Sequence, residues 1–292
     1  MRFVDDYRPG RTVVSVEVFP PDSEDGLRRL CARMGELFAL APDYFHVAYG
    51  SLDRTERLAL ALAAFARERS KASIAYHISG AGVTQTRVDG LLDELRRREI
   101  ENVVALRGAP AESPGGDFQY ASQLVEHISR RGGFGVGVAG YPEKHAEAAD
   151  METDMKNLKT KTDAGADVIF SQVFYDNRRF SDFVDRCRAA GIRQPIVPGF
   201  LPILSREYLA RVPRTSGATV PESLAEALSN SGDDAARAWE IGLSHTAGQV
   251  AELLDRGVAG LHFYVPARCF YLADLLERVA AARPGWRGES DR

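Results

Sequence analysis

The chain has 292 residues, of which 45% are hydrophobic and 27% charged, a balance that excludes disordered and fibrous proteins. Its formal net charge of −4 provides no global basic field for nucleic acid, and no apolar run is long enough for a membrane helix. The first residues lack the basic start and apolar core of a signal peptide and the three cysteines are far apart, so we expect a cytoplasmic protein in a reducing compartment.

Short apolar runs alternate with longer segments of helical periodicity along the whole chain. The strand-like runs are, in order, Thr12–Phe19, Tyr44–Tyr49, Ala72–Ile78, Asn102–Leu106, Gly135–Gly140, Val168–Phe174, Pro195–Phe200 and Gly260–Tyr264. The amphipathic stretches between them predict helices at Thr55–Arg69, Val88–Arg98, Tyr120–Arg131, Asp154–Ala164, Arg179–Ala190 and Ala235–Arg256. Glycine, which is favoured after helix ends, follows three of them at Gly165, Gly191 and Gly257.

Alternating β and α units of this number and length predict an α/β protein with an eight-stranded (β/α)8 TIM-type barrel. The barrel should form a single domain over residues 1–283, and the polar tail at 284–292 should be frayed. Residues 201–259, between the seventh and eighth strands, should form an elaborated loop with extra helices over the barrel mouth. A doubly wound sheet fits the same pattern, because periodicity cannot show closure.

Glu17 lies near the carboxyl end of the first predicted strand, which Pro20-Pro21 terminates. Catalytic groups gather at this end of the strands in a barrel. The apolar neighbours should disfavour the charged carboxylate and raise its pKa, which suits a proton donor near neutral pH. A structural pair with a buried arginine explains the same position equally well.

Polar side chains follow most of the other predicted strands as well. They are Tyr49-Gly50, His77, Arg107-Gly108, Tyr141 with Glu143 and His145, Gln172 with Tyr175 and Asp176, and Tyr264 with Arg268. Several are planar hydrogen-bonding groups, which suits a flat heterocycle with amide-like edges; Gln172 can donate and accept in one plane. Taken singly, His77 is more typical of a core histidine, and we expect core roles for His46 and His262.

The pattern predicts neither a metal site nor a Rossmann nucleotide site. The histidines lack ligand spacing, and His145 with Glu143 is a weak pair. The glycine run from Gly132 to Gly137 overlaps its strand instead of following it, so any nucleotide must bind by another route.

In their order and spacing, the motifs from Val13 to Arg268 resemble those of the methylenetetrahydrofolate reductase family. The matching segments are Val16–Pro21, Val47–Gly50, Val104–Gly108, Gly140–His145, Asn157–Ala166, Ser171–Asp176, Pro198–Pro202 and His262–Tyr264 with Arg268. Each segment alone is a weak signal, but together they are highly specific.

The resemblance implies reduction of methylenetetrahydrofolate to methyltetrahydrofolate, usually through FAD that a nicotinamide reduces. By that likeness Glu17 protonates the bridging anilino nitrogen and opens the five-membered ring to an iminium, which accepts hydride. The residues implied for folate binding are Gln172, Tyr264, Arg268 and Tyr49. Those implied for cofactor binding are His77, Arg107, Gly108, Tyr141, His145, Asp154 and Lys161.

The chain departs from the family pattern at positions that contact the flavin. Ala48 replaces a threonine, Ala109 an aspartate and Thr160 a basic residue, and Leu228 loosely aligns with a ligand-stacking aromatic. Each lost contact is worth about 1–3 kcal/mol, so three together weaken flavin binding by several powers of ten.

The expectation is therefore a flavin-independent enzyme in which NADH or NADPH occupies the flavin's place and passes hydride directly to the folate. A reductase that retains FAD, and a non-catalytic folate-binding protein, are the alternatives. The expected partners are methylenetetrahydrofolate and a nicotinamide dinucleotide, without nucleic acid or membrane. The sequence does not distinguish NADH from NADPH, and it leaves the oligomeric state open.

Overall fold

The computed structural model describes residues 2–7, 11–48, 53–108, 115–266 and 270–286. Eight parallel strands close into a barrel in the order of the sequence, which confirms the predicted fold and excludes the doubly wound sheet. The strands are β1 (Val13–Val18), β2 (Tyr44–Val47), β3 (Ser73–Ser79), β4 (Asn102–Leu106), β5 (Gly135–Gly140), β6 (Val168–Val173), β7 (Ile196–Phe200) and β8 (Gly260–Val265). Each coincides with a predicted run to within two residues at either end.

Helices follow the strands and cover the outside of the barrel. They are α1 (Phe3–Asp6), α2 (Glu24–Phe38), α3 (Asp53–Arg69), α4 (Gln85–Arg97), α5 (Ala121–Arg131), α6 (Met151–Asp163), α7 (Asn177–Ala189), α8 (Arg206–Ser216), α9 (Glu222–Ser229), α10 (Ala235–Asp255) and α11 (Leu272–Ala282). The predicted helices all occur, and the extra helices between β7 and β8 are α8 and α9 in addition to α10. The helices α2 and α11 were not among those predicted, although the buried Leu30, Met34 and Leu37 of α2 have the spacing of one helix face.

The short helix α1 closes the amino-terminal end of the barrel. Phe3 is fully buried, and its ring centroid lies 5.5 Å from that of Phe170, which points inward from β6. The Tyr44 hydroxyl donates a hydrogen bond of 2.6 Å to Asp6, which ties α1 to β2. Because aromatic side chains fill this end, the carboxyl ends of the strands provide the mouth for ligands.

The last described residues continue past α11. Trp286 packs partly buried against the main core, so this part of the predicted tail is attached to the barrel, whereas residues 287–292 lie outside the described part of the chain. Within the described ranges, none of the helices combines the length and the apolar character that crossing a membrane requires.

Candidate active site

Four polar side chains meet inside the barrel near its mouth. Glu17 on β1 is only 6% exposed, and it is joined by His46 on β2, His77 on β3 and His262 on β8. Since β8, β1, β2 and β3 are successive neighbours in the closed sheet, their inward-facing side chains converge on one region of the interior. We call these four residues the acid cluster.

His262 determines both the position of Glu17 and the number of protons that the pair holds. Its Nε2 lies 3.0 Å from Glu17 Oε2, and its Nδ1 lies 2.8 Å from Ser15 Oγ. The Ser15 hydroxyl donates to the carbonyl oxygen of Leu261 at 3.2 Å, so its oxygen can accept the Nδ1 proton of His262. Two lone pairs would repel at the distance between Glu17 and His262, and this contact therefore holds one proton.

The pKa of Glu17 differs from the sequence-based expectation. Burial is the largest influence and raises the pKa, as its apolar neighbours predict. The charge of His77, whose Nε2 lies 3.7 Å from Glu17 Oε2, and the hydrogen bond and charge of His262 together outweigh burial, so the pKa lies below its ordinary value. The expected raised pKa of Glu17 is thus wrong.

The neighbouring histidines are themselves poor bases. Burial lowers the pKa of His77, although the charge of Glu17 opposes this. His46 Nδ1 lies 3.2 Å from His77 Nε2, and burial, followed by the other two imidazoles, lowers the pKa of His46 well below its ordinary value. At neutral pH His46 and His77 are therefore uncharged.

Glu17 pairs with histidines and not with the arginine that the structural alternative required. Among the described residues, its ion-pair partners are His77 and His262. His46 and His262 do lie in the core, as predicted, but the sequence reasoning missed their contacts with the acid. These contacts could have been found from the strand register. Glu17 pairs with His46 on β2, and Ser15 pairs with His262 on β8, so both histidines lie next to β1.

Tyr264 lies at the mouth beside the acid cluster. Its hydroxyl donates to the carbonyl oxygen of Ser171 at 3.0 Å. Burial and then the charges of Glu17 and Tyr141 raise its pKa well above the ordinary value, so the hydroxyl stays protonated. Gly199 leaves space for this ring, because a Cβ there would lie 2.8 Å from Tyr264 Cε2 and would overlap the Ser171 oxygen.

Of the other predicted folate-binding residues, the structure describes Gln172 alone. Gln172 is half-buried on β6, next to Ser171, and its Oε1 accepts a hydrogen bond of 2.9 Å from the N–H of Val173. Tyr49, Gly50 and Arg268 lie outside the described residues.

A second group of side chains, which we call the cofactor cleft, lies at the carboxyl end of β5 and the start of α6. The rings of Tyr141 and His145 meet edge to face with centroids 4.6 Å apart. The buried carboxylate of Asp154 accepts a hydrogen bond of 3.0 Å from the backbone N–H of His145. Lys161 lies beside this group, with its Nζ 5.9 Å from the centre of the Tyr141 ring. Four of the predicted cofactor-binding residues are thus brought together.

Lys161 carries a strongly perturbed amine. Burial lowers its pKa to about 8, although the charge of Asp154 opposes the change. Its Nζ donates a hydrogen bond of 2.6 Å to the carbonyl oxygen of Ala139 on β5. The cation is therefore directed at the barrel backbone and is only partly available to an anionic ligand.

Arg107 and Gly108 follow β4 at the same side of the mouth. The guanidinium of Arg107 binds Glu147 at 2.5 and 2.7 Å, and this hydrogen bond raises its pKa. Gly108 has a φ of +82°, and a Cβ at this position would overlap Ser79 Oγ. The backbone turn after β4 therefore requires glycine.

The departures from the family pattern have structural consequences where they are described. Ala48 places a buried methyl group after β2, and the Thr160 hydroxyl donates to the carbonyl oxygen of Lys156 within α6 at 2.9 Å. Leu228, which loosely aligns with the ligand-stacking aromatic of the family, is fully buried in α9. Ala109 lies outside the described residues.

Three polar residues from the strand-end series serve the scaffold. The buried Tyr175 donates its hydroxyl proton to the carbonyl oxygen of Leu201 at 3.0 Å. Asp176 caps the amino end of α7. Glu143 accepts a hydrogen bond of 2.9 Å from the backbone N–H of Thr219.

Comparison with known proteins gives concordant matches. The methylenetetrahydrofolate reductase family model matches residues 2–278. Methylenetetrahydrofolate reductase (NADH) 1 of Arabidopsis thaliana is 34% identical over 275 residues, which cover 87% of this chain and 46% of that protein. The 5,10-methylenetetrahydrofolate reductase of Escherichia coli K12 is 30% identical over 280 residues, which cover 94% and 93% of the two chains. The chain spans about half the length of its plant relatives.

The fold has a counterpart among solved structures. A Clostridium thermocellum protein, described as uncharacterized and as binding two copies of 5-methyl-5,6,7,8-tetrahydrofolic acid, matches with a TM-score of 0.63 at 13% identity and covers 97% of both chains. At this identity the match supports the barrel fold alone. The family model and the sequence relatives confirm the resemblance seen in the motifs.

Proposed function

Since the chain belongs to the methylenetetrahydrofolate reductase family, we propose that its barrel reduces 5,10-methylenetetrahydrofolate to 5-methyltetrahydrofolate with hydride from a reduced nicotinamide dinucleotide. The observation that carries this proposal is the buried contact of 3.0 Å between Glu17 and His262, which holds one proton at the barrel mouth. A folate-binding protein without catalysis would gain little from a buried acid. The catalytic unit is the barrel itself, over residues 1–283.

Glu17 supplies the proton that opens the ring. Protonation of the bridging anilino nitrogen breaks its bond to the methylene carbon, and the resulting iminium accepts hydride at that carbon. His262 orients the carboxyl and stabilises the carboxylate that remains after proton transfer, with Ser15 fixing the imidazole through its Nδ1. The neutral His46 and His77 keep the surroundings poorly solvated, which favours proton transfer to the substrate.

Folate would bind at the mouth above the acid cluster. Gln172 presents a planar amide to the pterin edge. Tyr264 supplies a ring whose hydroxyl keeps its proton, beside Glu17. Tyr49 and Arg268 complete this site by resemblance.

We propose direct hydride transfer without flavin. The contacts that remain fit bound FAD poorly: Ala48 has no hydrogen-bonding group, and Thr160 uses its hydroxyl within α6. The cations are also engaged, Arg107 by Glu147 and Lys161 by a backbone carbonyl. NADH is the preferred donor on the strength of the plant relatives named for it.

The second candidate is the same reaction through bound FAD. It is favoured by the intact group of Tyr141, His145, Asp154 and Lys161, which could hold a flavin despite the lost contacts. In that case the nicotinamide reduces the flavin and leaves before folate binds.

Two measurements test these proposals. Purified protein should oxidise NADH only when methylenetetrahydrofolate is present, and intact folate binding without turnover would favour the non-catalytic alternative. The absorption spectrum should lack a flavin band, and initial-rate plots should intersect because both substrates occupy one complex. A yellow protein with parallel initial-rate lines would refute direct transfer while leaving the reaction intact.

A further inference from the structure

We propose that Glu17, His46 and His77 form a binding site for a divalent transition-metal ion, with zinc the ion that their geometry suits best. The candidate ligand atoms of these three buried residues all lie within 4.8 Å of one another. Sequence spacing does not reveal this grouping, because the residues lie on three separate strands, β1, β2 and β3.

The distances match those of a tetrahedral metal centre. Zinc bonds of about 2.0–2.1 Å hold neighbouring ligand atoms about 3.3 Å apart. His46 Nδ1 and His77 Nε2 are 3.2 Å apart, and His77 Nε2 and Glu17 Oε2 are 3.7 Å apart. The ligand atoms of Glu17 and His46 lie within the 4.8 Å that spans the whole group, so one ion could contact all three atoms after side-chain adjustment.

The donor set selects the class of ion. Two imidazoles and one carboxylate are typical zinc ligands, whereas calcium and magnesium prefer oxygen ligands. His262 holds Glu17 Oε2 at 3.0 Å from the side of β8 and so orients the carboxylate towards the site. Three protein ligands leave one tetrahedral position open for water or for a ligand at the barrel mouth.

The site is rigid before any ion arrives. All three ligands stand on strands, and β1, β2 and β3 are adjacent. The His46 ring is packed between aromatic rings, with centroids 5.8 Å from Phe3 and 4.6 Å from Phe170. Packing, and not a hydrogen bond to Nε2, fixes this ring, since that buried nitrogen has no partner among the described residues. Little side-chain freedom is lost on binding, which favours affinity.

Occupancy would inhibit the reductase, a consequence that rests on the proposed function. A carboxylate oxygen bound to zinc cannot carry the proton that opens the folate ring. Zinc should therefore inhibit catalysis at the acid itself.

The decisive experiment uses the full chain, stripped of metal with a chelator, and zinc or cobalt(II) ions alone as the probe. Calorimetry should show one zinc per chain, and cobalt(II) should give the strong visible absorption of a tetrahedral centre. His46→Leu removes one ligand and keeps an apolar filling among the aromatic rings, so zinc affinity should fall at least about tenfold. The matched control is His127→Gln, since His127 also contacts a carboxylate, Asp89 at 2.8 Å, but lies outside the cluster.

Equal zinc affinity in the wild type and in His46→Leu, or no stoichiometric zinc at all, would overturn the proposal. If His46→Leu fails to fold, zinc-soaked crystals of the wild type decide instead: an anomalous peak bonded to both histidine nitrogens supports the site, and its absence refutes it. Zinc inhibition is measured against each variant's own metal-free rate. Binding that persists in a protein without reductase turnover would contradict the proposed function and not the metal site.

Discussion

Replacing Glu17 with glutamine tests the acid with little change in shape. The amide fills the same volume, and its N–H₂ group can donate to His262 Nε2, where the carboxyl of the wild type shares its proton over 3.0 Å. The hydrogen bond from His262 to Ser15 is unaffected. We therefore expect Glu17→Gln to fold, with a free energy of unfolding within about 1 kcal/mol of the wild-type value.

The expected loss of rate follows from the chemistry. Glutamine cannot protonate the anilino nitrogen, and removal of a positioned general acid costs about 10²–10⁴-fold in rate. This corresponds to about 3–5 kcal/mol in the activation free energy. Because the amide preserves the surface that faces the folate, the Kd for 5-methyltetrahydrofolate should stay within about threefold.

The assay is steady-state oxidation of NADH in the presence of methylenetetrahydrofolate, with folate binding measured by calorimetry. Glu143→Gln is the matched control, since this carboxylate also lies near the mouth but accepts a hydrogen bond from Thr219. Its turnover should remain within about twofold of the wild type. Near-native kcat in Glu17→Gln would remove Glu17 from the mechanism, and equal losses of kcat and folate affinity would indicate a structural role.

Three further predictions concern the surroundings of the acid. Gly199→Ala would place a Cβ against the Ser171 carbonyl oxygen and should lower the free energy of unfolding by at least about 2 kcal/mol, measured by urea denaturation. The pKa of Lys161 is lowered from 10.5 to about 8 in the folded chain. Between these pH values the amine is therefore protonated in the unfolded chain and largely unprotonated in the folded chain. Stability should therefore rise with pH across this window by roughly 2 kcal/mol more in the wild type than in Lys161→Met, and parallel pH profiles would contradict the lowered pKa. The double variant Ala48→Thr with Thr160→Lys restores two flavin contacts and should bind FAD at least about tenfold more tightly than the wild type, by fluorescence titration.

The barrel could be predicted from the sequence because each strand is a short apolar run bounded by turn residues. Buried parallel strands need no alternation, and the helical periodicity between them identifies the crossovers. α1 could not be predicted, since a helix of four residues has too little periodicity. Its place in the barrel depends on the burial of Phe3 against side chains from distant strands.

The position of Glu17 at the barrel mouth could be predicted, but the effect of its surroundings on its pKa could not. Position follows from the rule that the carboxyl ends of strands share one face. The pKa of Glu17 depends on imidazoles from β3 and β8, so its local apolar neighbours give the wrong direction. The burial of Leu228 shows the same limit, because it depends on the packing of α9 against side chains that are distant in the sequence.

The two groups at the mouth divide the proposed reaction between them. The charges of Glu17 and Tyr141 both act on Tyr264, so its ring lies within electrostatic range of the acid cluster and of the cofactor cleft. A folate beside this ring would receive its proton from the β1 side and its hydride from the β5 side. Without a flavin to store the electrons, the folate and the nicotinamide must be present in one complex. The opened iminium then meets hydride before water can reach it. A proton donor buried against His262, and not exposed to solvent, fits that requirement, because bulk water has little access to it.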